Sequence, residues 1–415
     1  MTIHCRRFTS VLAIACLAIV IGVAPPPSAL AQPPAPQADP LDQPPEDGET
    51  QPGDIPPLAP GLEPAEPTEP TEPTEPPAEE GPPQEALDAL DDAQIALFRT
   101  GDYDAGFKAI DEALAIHPDF PEAYLLRSFA HRLLGEYQQA IDAAARVIEL
   151  DPEQTVALFP GSILKGYYLK GLAHIELNQT AEAVATADAA LEINPEDANA
   201  MHLKGTAFYA AKNYGRAVTS LTDALGVSPR TGVALQAQEL VTTYMRRAIS
   251  WYHLGEYDIA IDDFDAVIRL SGVAGVQDEG YRWRGFVQAA QHDFIQAIHS
   301  YDRALHVNRQ NSLAHKGRGI AYLNLATTRP HLADFANAEA VSSFNQMIRL
   351  DPDEARAYYY RGIAYARLGE PQMAHSSFST AVQLDPDHAP ARRERDALGG
   401  HFWPAHSQHA DWVGY

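Results

Sequence analysis

A small residue recurs at one position of every unit in this chain, and this column constrains the fold more than any other feature. Successive members lie about 34 residues apart, or about nine more where extra residues intervene. Each interval contains two stretches of helical periodicity, and a larger side chain at their crossing would cost about 1 to 3 kcal/mol through overpacking. The column consists of Gly106, Ala140, Ala183, Ala217, Ala260, Ala297, Ala340 and Ala374. It predicts eight tandem helical hairpins that stack on one another.

Two further columns and a set of prolines repeat with the same period. Counted from the start of the first helix, the units begin at Leu87, Pro121, Leu164, Ala198, Val241, Asp278, Ser312 and Ala355. Position 8 is small in all units except the first and reads Gln94, Ser128, Gly171, Gly205, Ala248, Gly285, Gly319 and Gly362. Position 24, which faces it, carries larger residues in most units: Ile110, Leu221, Phe264, Tyr301, Phe344 and Phe378. Proline cannot continue a helix, so the second helices should end before Pro118, Pro152, Pro195, Pro229, Pro352 and Pro386.

Together these columns resemble the tetratricopeptide repeat (TPR) family from about Leu87 to His388. The resemblance implies an all-α, right-handed superhelical solenoid of about eight hairpins, closed by a polar capping helix. The predicted solenoid covers 85–400, with repeats near 87–120, 121–154, 164–197, 198–231, 241–274, 278–311, 312–354 and 355–388, a cap at 389–398 and a tail at 401–415. Extra residues near Thr155, Gly232 and Ala326 should lengthen helices or loops without breaking the period.

The N-terminal part of the chain is not typical of a folded domain. Residues 1–31 contain Arg6 and Arg7, then a short apolar run and a small-residue ending, which predicts a secretory signal peptide cleaved after Ala31. Its retention as an anchor and lipid attachment at Cys16 are the alternatives. Residues 32–84 are acidic and rich in proline, so they should form a disordered, extended linker. The predicted location is periplasmic or extracellular, with no permanent membrane span after cleavage.

Charge and motif content exclude several function classes. The chain has 30 Lys and Arg against 56 Asp and Glu, a formal net charge of −26, so a nucleic-acid partner is not expected. No phosphate loop, nucleophile elbow or zinc motif is present, and we expect no catalytic residue, cofactor or metal. The tail places three histidines near Asp411, but without helical spacing we interpret it as a flexible or docked end.

A second stripe on the first helices predicts a binding surface. The family resemblance implies that positions 2, 5, 9 and 12 line a concave groove. The candidate groove residues are Phe98, Phe129, Arg132, Lys165, Tyr168, His202, Tyr209, Tyr252, Arg282, Phe286, Lys316, Arg356 and Tyr359. Aromatic rings and cations suit an acidic peptide or protein segment. The alternative is that individual rings pack against the neighbouring repeat.

A regular basic column at position 7 favours a structural interpretation. It consists of Arg127, Lys170, Lys204, Arg247, Arg284, Arg318 and Arg361, while position 25 of second helices carries Asp111, Asp188, Asp265 and Asp302. We predict ion pairs between these two columns across repeat junctions.

The sequence as a whole predicts a non-enzymatic scaffold or adaptor in the cell envelope that binds a protein or peptide partner. A structural, self-assembling repeat protein is the second interpretation. An envelope hydrolase is the third, and it lacks a non-repeat domain in which to place an active site. The groove does not match a chaperone-tail clamp, because position 9 carries no asparagine.

Overall fold

A computed structural model describes residues 81–158, 162–227, 234–270, 272 and 274–399. The signal peptide, most of the acidic linker and the tail 401–415 lie outside these residues. The described part contains seventeen α-helices and no strand. They are α1 (Gln84–Ile95), α2 (Tyr103–Ile116), α3 (Pro121–Leu133), α4 (Tyr137–Leu150), α5 (Gly166–Glu176), α6 (Thr180–Ile193), α7 (Ala198–Ala210), α8 (Tyr214–Gly226), α9 (Ala237–Leu254), α10 (Tyr257–Leu270), α11 (Ala274–Ala290), α12 (Phe294–Val307), α13 (Ser312–Thr328), α14 (Ala333–Leu350), α15 (Ala355–Arg367), α16 (Pro371–Leu384) and α17 (Ala389–Gly399).

The helices pack in adjacent pairs, which confirms the predicted solenoid of hairpins. Each odd-numbered helix from α1 to α15 packs against the even-numbered helix that follows it, and α17 covers α16 at the C-terminal end. Successive odd-numbered helices also contact one another, as in α3 with α5, α5 with α7 and α7 with α9. The odd-numbered helices therefore form the inner layer of the solenoid and the even-numbered helices the outer layer.

Turn residues set the hairpin boundaries. Gly101 and Gly255 adopt positive φ angles of 69° and 84°, which a residue without a Cβ accepts easily. Gly101 ends the helical segment Ala96–Thr100 that continues from α1, and Gly255 ends α9. The Asp102 carboxylate then accepts a hydrogen bond from the Ala105 backbone N–H at 3.0 Å and caps α2. The second helices end two or three residues before the predicted prolines, as α2 does at Ile116. The chain thus turns where its local chemistry predicts.

The small columns let the two helices of a hairpin approach closely. All eight residues of the position 20 column are buried. A Cβ atom added to Gly319 would lie 2.6 Å from Phe344 Cζ, and one added to Gly362 would lie 2.6 Å from Phe378 Cε1. Such distances are shorter than van der Waals contact, so glycine at position 8 and a large ring at position 24 depend on each other. This confirms the sequence interpretation of both columns.

The extra residues lengthen α9 and α11, lengthen the hairpin of α13 and α14, and add a loop before α5. Helices α13 and α14 have 17 and 18 residues, whereas α15 has 13. Before α5, the Asp151 carboxylate accepts hydrogen bonds from the backbone N–H groups of Thr155 and Val156 at 2.9 and 2.7 Å. The insertions therefore leave the helix packing continuous. No described helix combines the length and the apolar character needed to cross a bilayer.

Candidate functional site

The basic column at position 7 is paired with carboxylates, as the sequence predicts. Lys204 Nζ lies 2.7 Å from Asp188 Oδ1, and Arg318 Nη1 lies 2.8 Å from Asp302 Oδ1. The same pairing joins Arg284 to Asp265 and Arg127 to Asp111. Each of these pairs connects a first helix with the second helix of the preceding repeat. The column faces the outer layer, where its charges fix how neighbouring repeats meet.

Three members of the position 7 column depart from this rule. Arg247 instead forms a two-pronged ion pair with Asp263 of its own repeat, at 2.7 and 2.8 Å. Arg361 donates to the Asn345 side-chain oxygen at 2.9 Å. Among the described residues no carboxylate lies within 4.0 Å of Lys170, since Ala145 occupies the matching position. The residue at position 25 of the preceding repeat thus decides the partner.

The predicted groove residues lie on the odd-numbered helices or next to their ends, but they differ in exposure. Five side chains are buried: Phe129, Arg132, Tyr168, His202 and Arg282. Seven are partly buried: Phe98, Lys165, Tyr209, Tyr252, Phe286, Lys316 and Tyr359. Only Arg356 among the thirteen is exposed. The inner face therefore contains deep and shallow positions, and the sequence pattern does not distinguish them.

Several rings of the inner face pack between repeats. Phe98 lies 5.6 Å from Phe129, and Tyr252 lies 5.1 Å from Phe286, between ring centroids. The Tyr359 ring lies 4.8 Å from the imidazole of His388, and burial raises the pKa of Tyr359 to about 12. For Phe98 with Phe129 and for Tyr252 with Phe286, the structure shows the alternative interpretation, contact with the neighbouring repeat. Tyr359 and His388 lie within one repeat. Such contacts do not prevent their exposed edges from meeting a partner.

Arg282 does not have the free charge that the sequence interpretation gives it. Its side chain is 6% exposed, it forms an ion pair with Glu279, and its guanidinium lies 4.9 Å from the Trp283 ring centroid. Three residues separate Arg282 from Glu279 on one helix, a spacing that brings side chains together. We therefore exclude Arg282 from the proposed binding surface.

Lys316 and Arg356 form a cationic pair near the C-terminal end of the inner face. Burial, and to a smaller extent the charge of Arg356, lower the pKa of Lys316, and the carboxylate of Glu354 partly opposes them. Glu354 accepts a hydrogen bond from the Arg356 backbone N–H at 3.1 Å. Within the described part of the chain, no carboxylate oxygen lies within 4.0 Å of either side chain. Two neighbouring cations without an ion-pair partner are unfavourable together, so an anionic group placed between them would be stabilised.

A buried polar cluster on α7 and α9 contains a charge that the sequence analysis missed. His202 Nδ1 lies 2.6 Å from Thr243 Oγ1, and Arg246 Nη1 lies 3.1 Å from His202 Nε2. Position 6, which Arg246 occupies, carries buried leucines at Leu126, Leu169 and Leu203. An arginine at a position that carries buried leucines in three other repeats was the sequence signal for a buried charge. It was overlooked because Arg246 stands beside Arg247 of the regular column.

Comparison with known families agrees with this architecture. Family models described as tetratricopeptide repeat match residues 92–155, 168–230 and 355–388. The chain contains tetratricopeptide repeats over these ranges. Its repeats belong to a fold that serves in general as a protein-interaction scaffold, and the predicted family is confirmed. No curated protein sequence matches the chain.

Solved structures of other TPR proteins resemble this one at low identity. YrrB, described as a TPR protein with an unusual peptide-binding site, is 21% identical, with 51% of this chain and 97% of YrrB aligned and a TM-score of 0.39. PilF of Pseudomonas aeruginosa is 16% identical over 56% of this chain and 96% of its own, with a TM-score of 0.43. The C-terminal part of a TPR protein from Cytophaga hutchinsonii is 14% identical over 65% and 98%, with a TM-score of 0.48. These similarities do not indicate a partner.

The described part of this TPR protein offers binding chemistry on its inner face. Within it, no group of three or more His, Cys, Asp or Glu side chains is placed to hold a metal ion. The histidine-containing tail lies outside the described residues. The inner face combines aromatic rings with guanidinium and ammonium groups, which bind carboxylates through charge-assisted hydrogen bonds.

Proposed function

We propose that this TPR protein is an exported, non-enzymatic scaffold whose inner face binds an acidic segment of a peptide or protein partner. One contrast supports the proposal. Five of the seven cations at position 7, which face the outer layer, are paired with carboxylates, as in Arg318 with Asp302. On the inner face, among the described residues, no carboxylate oxygen lies within 4.0 Å of the side-chain nitrogens of Lys316 and Arg356. The chain has 56 acidic residues, so inner cations without carboxylates are not explained by a shortage of acids.

The chemistry of Lys316 and Arg356 favours an acidic partner. A partly buried ammonium group loses part of its hydration, and a carboxylate would replace it with a charge-assisted hydrogen bond. Nearby rings on the inner face would add apolar contact area at little cost in side-chain entropy. A segment with carboxylates spaced among apolar residues therefore fits this surface better than a neutral or basic one.

The export part of the proposal rests on the N-terminal sequence. Arg6 and Arg7, the apolar run and the ending at Ala31 are typical of a signal peptide, and the acidic linker that follows would separate the repeats from a membrane or wall. Mass spectrometry of the protein purified from its source should find a mature N-terminus at Gln32. An intact Met1, or a lipid on Cys16, would contradict cleavage after Ala31.

The binding proposal is tested by affinity capture from the envelope fraction of the source organism, with the full chain as bait. The test variant carries Lys316→Glu and Arg356→Glu. The control carries Lys108→Glu and Arg216→Glu, the same charge change on α2 and α8 of the outer layer. We expect a partner that the wild type and the control retain and that the inner-face variant loses.

Circular dichroism should show equal helicity for all three proteins. Neither inner-face cation has a carboxylate within 4.0 Å of its side-chain nitrogens to lose, and the only ion pair that the control loses is the exposed pair of Lys108 with Glu112. A partner captured equally by the inner-face variant would contradict the proposal. It would shift the interaction to the outer layer or to the insertions.

A further inference from the structure

An open groove beside α14, in the outer layer of the solenoid, is lined by arginines and by no acidic residue. It has a volume of about 640 Å³ and follows α14 from Ala338 to Arg349, with Arg361 of α15 at its side. We call it the outer groove. Of the described residues that line it, two are arginines and none is acidic, although Glu339 and Asp351 stand nearby in the sequence. In a chain with 56 acidic residues against 30 basic ones, this local positive charge requires an explanation.

Arg361 has the hydrogen bonds of its column without the charged partner. Arg318, one repeat earlier, donates through Nε to a serine hydroxyl at 3.0 Å and through Nη1 to Asp302 at 2.8 Å. Arg361 uses the same two atoms to donate to a serine hydroxyl at 3.2 Å and to the Asn345 side-chain oxygen at 2.9 Å. An amide oxygen accepts a hydrogen bond but carries no net charge. The guanidinium of Arg361 is therefore held in place beside the outer groove while its positive charge remains.

Arg349 adds a second cation near the end of α14. It is exposed, and among the described residues no carboxylate oxygen lies within 4.0 Å of the guanidinium of Arg349 or of Arg361. Arg349 follows Asn345 by one helical turn, about 6 Å along the axis. The groove is also lined by Val341 and Ile348, which are partly buried and pack against the core. It thus presents two cations beside an apolar surface.

The acidic linker of the chain has the chemistry and the spacing that the outer groove accepts. Residues 32–83 contain no Lys or Arg, and glutamates, each followed by proline, recur every three residues at Glu63, Glu66, Glu69, Glu72 and Glu75. An extended proline-rich helix has three residues per turn and rises about 3.1 Å per residue, so these carboxylates would share one side, about 9 Å apart. From Ala338 to Arg349 the helix rises about 16 Å. The groove is therefore long enough for two successive glutamates and the prolines that follow them.

We propose that the outer groove binds the glutamate–proline segment, residues 63–76, of a second copy of this chain. Carboxylates of the segment pair with Arg349 and Arg361, because a guanidinium matches the planar geometry of a carboxylate. Its prolines cover Val341 and Ile348. The contact lies in the outer layer, so it does not depend on the proposed binding of a partner by the inner face.

Reach favours a second copy over the segment of the same chain. Successive first helices pack about 8 to 10 Å apart, so the six steps from α1 to α13 add up to about 50 to 60 Å along the solenoid. The stretch from Glu72 to the start of α1 at Gln84 spans at most about 43 Å. A contact between copies joins two different surfaces, so association continues beyond a dimer unless a ring closes.

Fluorescence anisotropy with the full chain tests the groove. The labelled peptide copies residues 63–76, and a matched peptide carries glutamine in place of every glutamate. We expect the glutamate peptide to bind at least tenfold more tightly. Arg349→Gln and Arg361→Gln should each weaken its binding severalfold. The control Arg269→Gln changes an exposed arginine in the last turn of α10, the place that Arg349 has in α14, and should leave the affinity unchanged.

Asn345→Asp is the sharpest variant, because it supplies the carboxylate that Asp302 supplies one repeat earlier. It should fold, keep the hydrogen bond to Arg361 and weaken peptide binding at least tenfold. Full binding by this variant, or equal binding of the two peptides, would overturn the proposal. If only the Lys316→Glu, Arg356→Glu variant loses the peptide, the acidic segment binds the inner face, and the outer groove is wrong while the proposed function stands.

Sedimentation velocity tests the second copy. The wild type should sediment faster as its concentration rises, whereas Asn345→Asp, and a variant with glutamine at all five glutamates of residues 63–76, should remain monomers. A wild type that stays monomeric at every concentration would overturn the contact between copies. If the glutamine variant then binds the labelled peptide at least tenfold more tightly than the wild type, the segment of the same chain occupies the groove instead.

Discussion

The inner and outer sides of the first helices use the same residue types in opposite ways. On the side that faces the outer layer, Arg318 and Lys204 each meet a carboxylate from the preceding repeat. On the inner face, Lys316 and Arg246 have no carboxylate within 4.0 Å among the described residues. Even neighbouring residues differ: Arg247 is paired with Asp263, whereas Arg246 donates to His202. With the exceptions of Lys170, Arg361 and Arg282, position on the helix thus separates cations that meet a carboxylate from cations that do not.

The strongest test of this comparison is the Arg247 pair, the most buried of the column. The side chains of Arg247 and Asp263 are 16% and 6% exposed and form two hydrogen bonds. Arg247→Met should lower the free energy of unfolding by about 3 to 5 kcal/mol, because it leaves a buried carboxylate without its counter-charge. Chemical denaturation measures the change. Arg247→Met with Asp263→Leu should recover most of the loss, and a single variant as stable as the wild type would refute the structural role.

A second prediction concerns the buried histidine that orients Arg246. The pKa of His202 is well below its ordinary value of 6.5 in the folded protein, owing to burial and then to Arg246. The unfolded chain binds a proton below about pH 6.5 that the folded chain rejects, so stability is complete above that pH and falls by up to about 1.4 kcal/mol per unit below it.

His202→Asn should remove this part of the acid sensitivity, measured as melting temperature against pH. The variant loses some stability at pH 8 because the bond to Thr243 changes, so the slopes and not the absolute values are compared. Equal slopes for wild type and variant between pH 6.5 and pH 5 would show that His202 accepts a proton in the folded state. Arg246 would then have a charged neighbour, contrary to the comparison drawn above.

The smallest effect on stability is expected for an ion pair of the position 7 column that is largely exposed to water. In the Lys204–Asp188 pair, the side chains are 30% and 47% exposed. Lys204→Met should change the free energy of unfolding by no more than about 1 kcal/mol, because water screens the pair. A double-mutant cycle with Asp188→Asn measures the coupling. A coupling as large as that of Arg247 with Asp263 would show that burial does not set the contribution of these pairs.

The sequence predicted the fold well because the residues that pack each hairpin lie close together in the chain and recur in every repeat. Gly362 and Phe378 depend on each other within one hairpin, and Gly205 and Leu221 do so at the same spacing in an earlier hairpin. The ion pairs of Arg318 and Lys204 were predictable for the same reason, since partners recur at a fixed spacing. Because the same tertiary contact recurs in successive repeats, its residues form a periodic pattern that a single sequence shows.

The binding surface was less predictable because its members do not repeat. Arg282 matches the groove stripe, but Glu279 one turn away neutralises it. Arg246 lies outside the stripe, but its side chain reaches His202 on another helix. Whether a charge is paired depends on the side chains that the superhelix brings together, and these differ from repeat to repeat.

The sequence by itself thus determined eight hairpins, their small-residue crossings and most of the ion pairs between adjacent repeats. These features depend on residues close in the chain, and the period makes them recognisable. Only the tertiary structure decided which inner cations have no carboxylate oxygen within 4.0 Å among the described residues, and that Arg246 donates to His202 of another helix. The physical reason is that pairing and burial arise where α3, α5, α7 and α9 stack, over more than a hundred residues of chain.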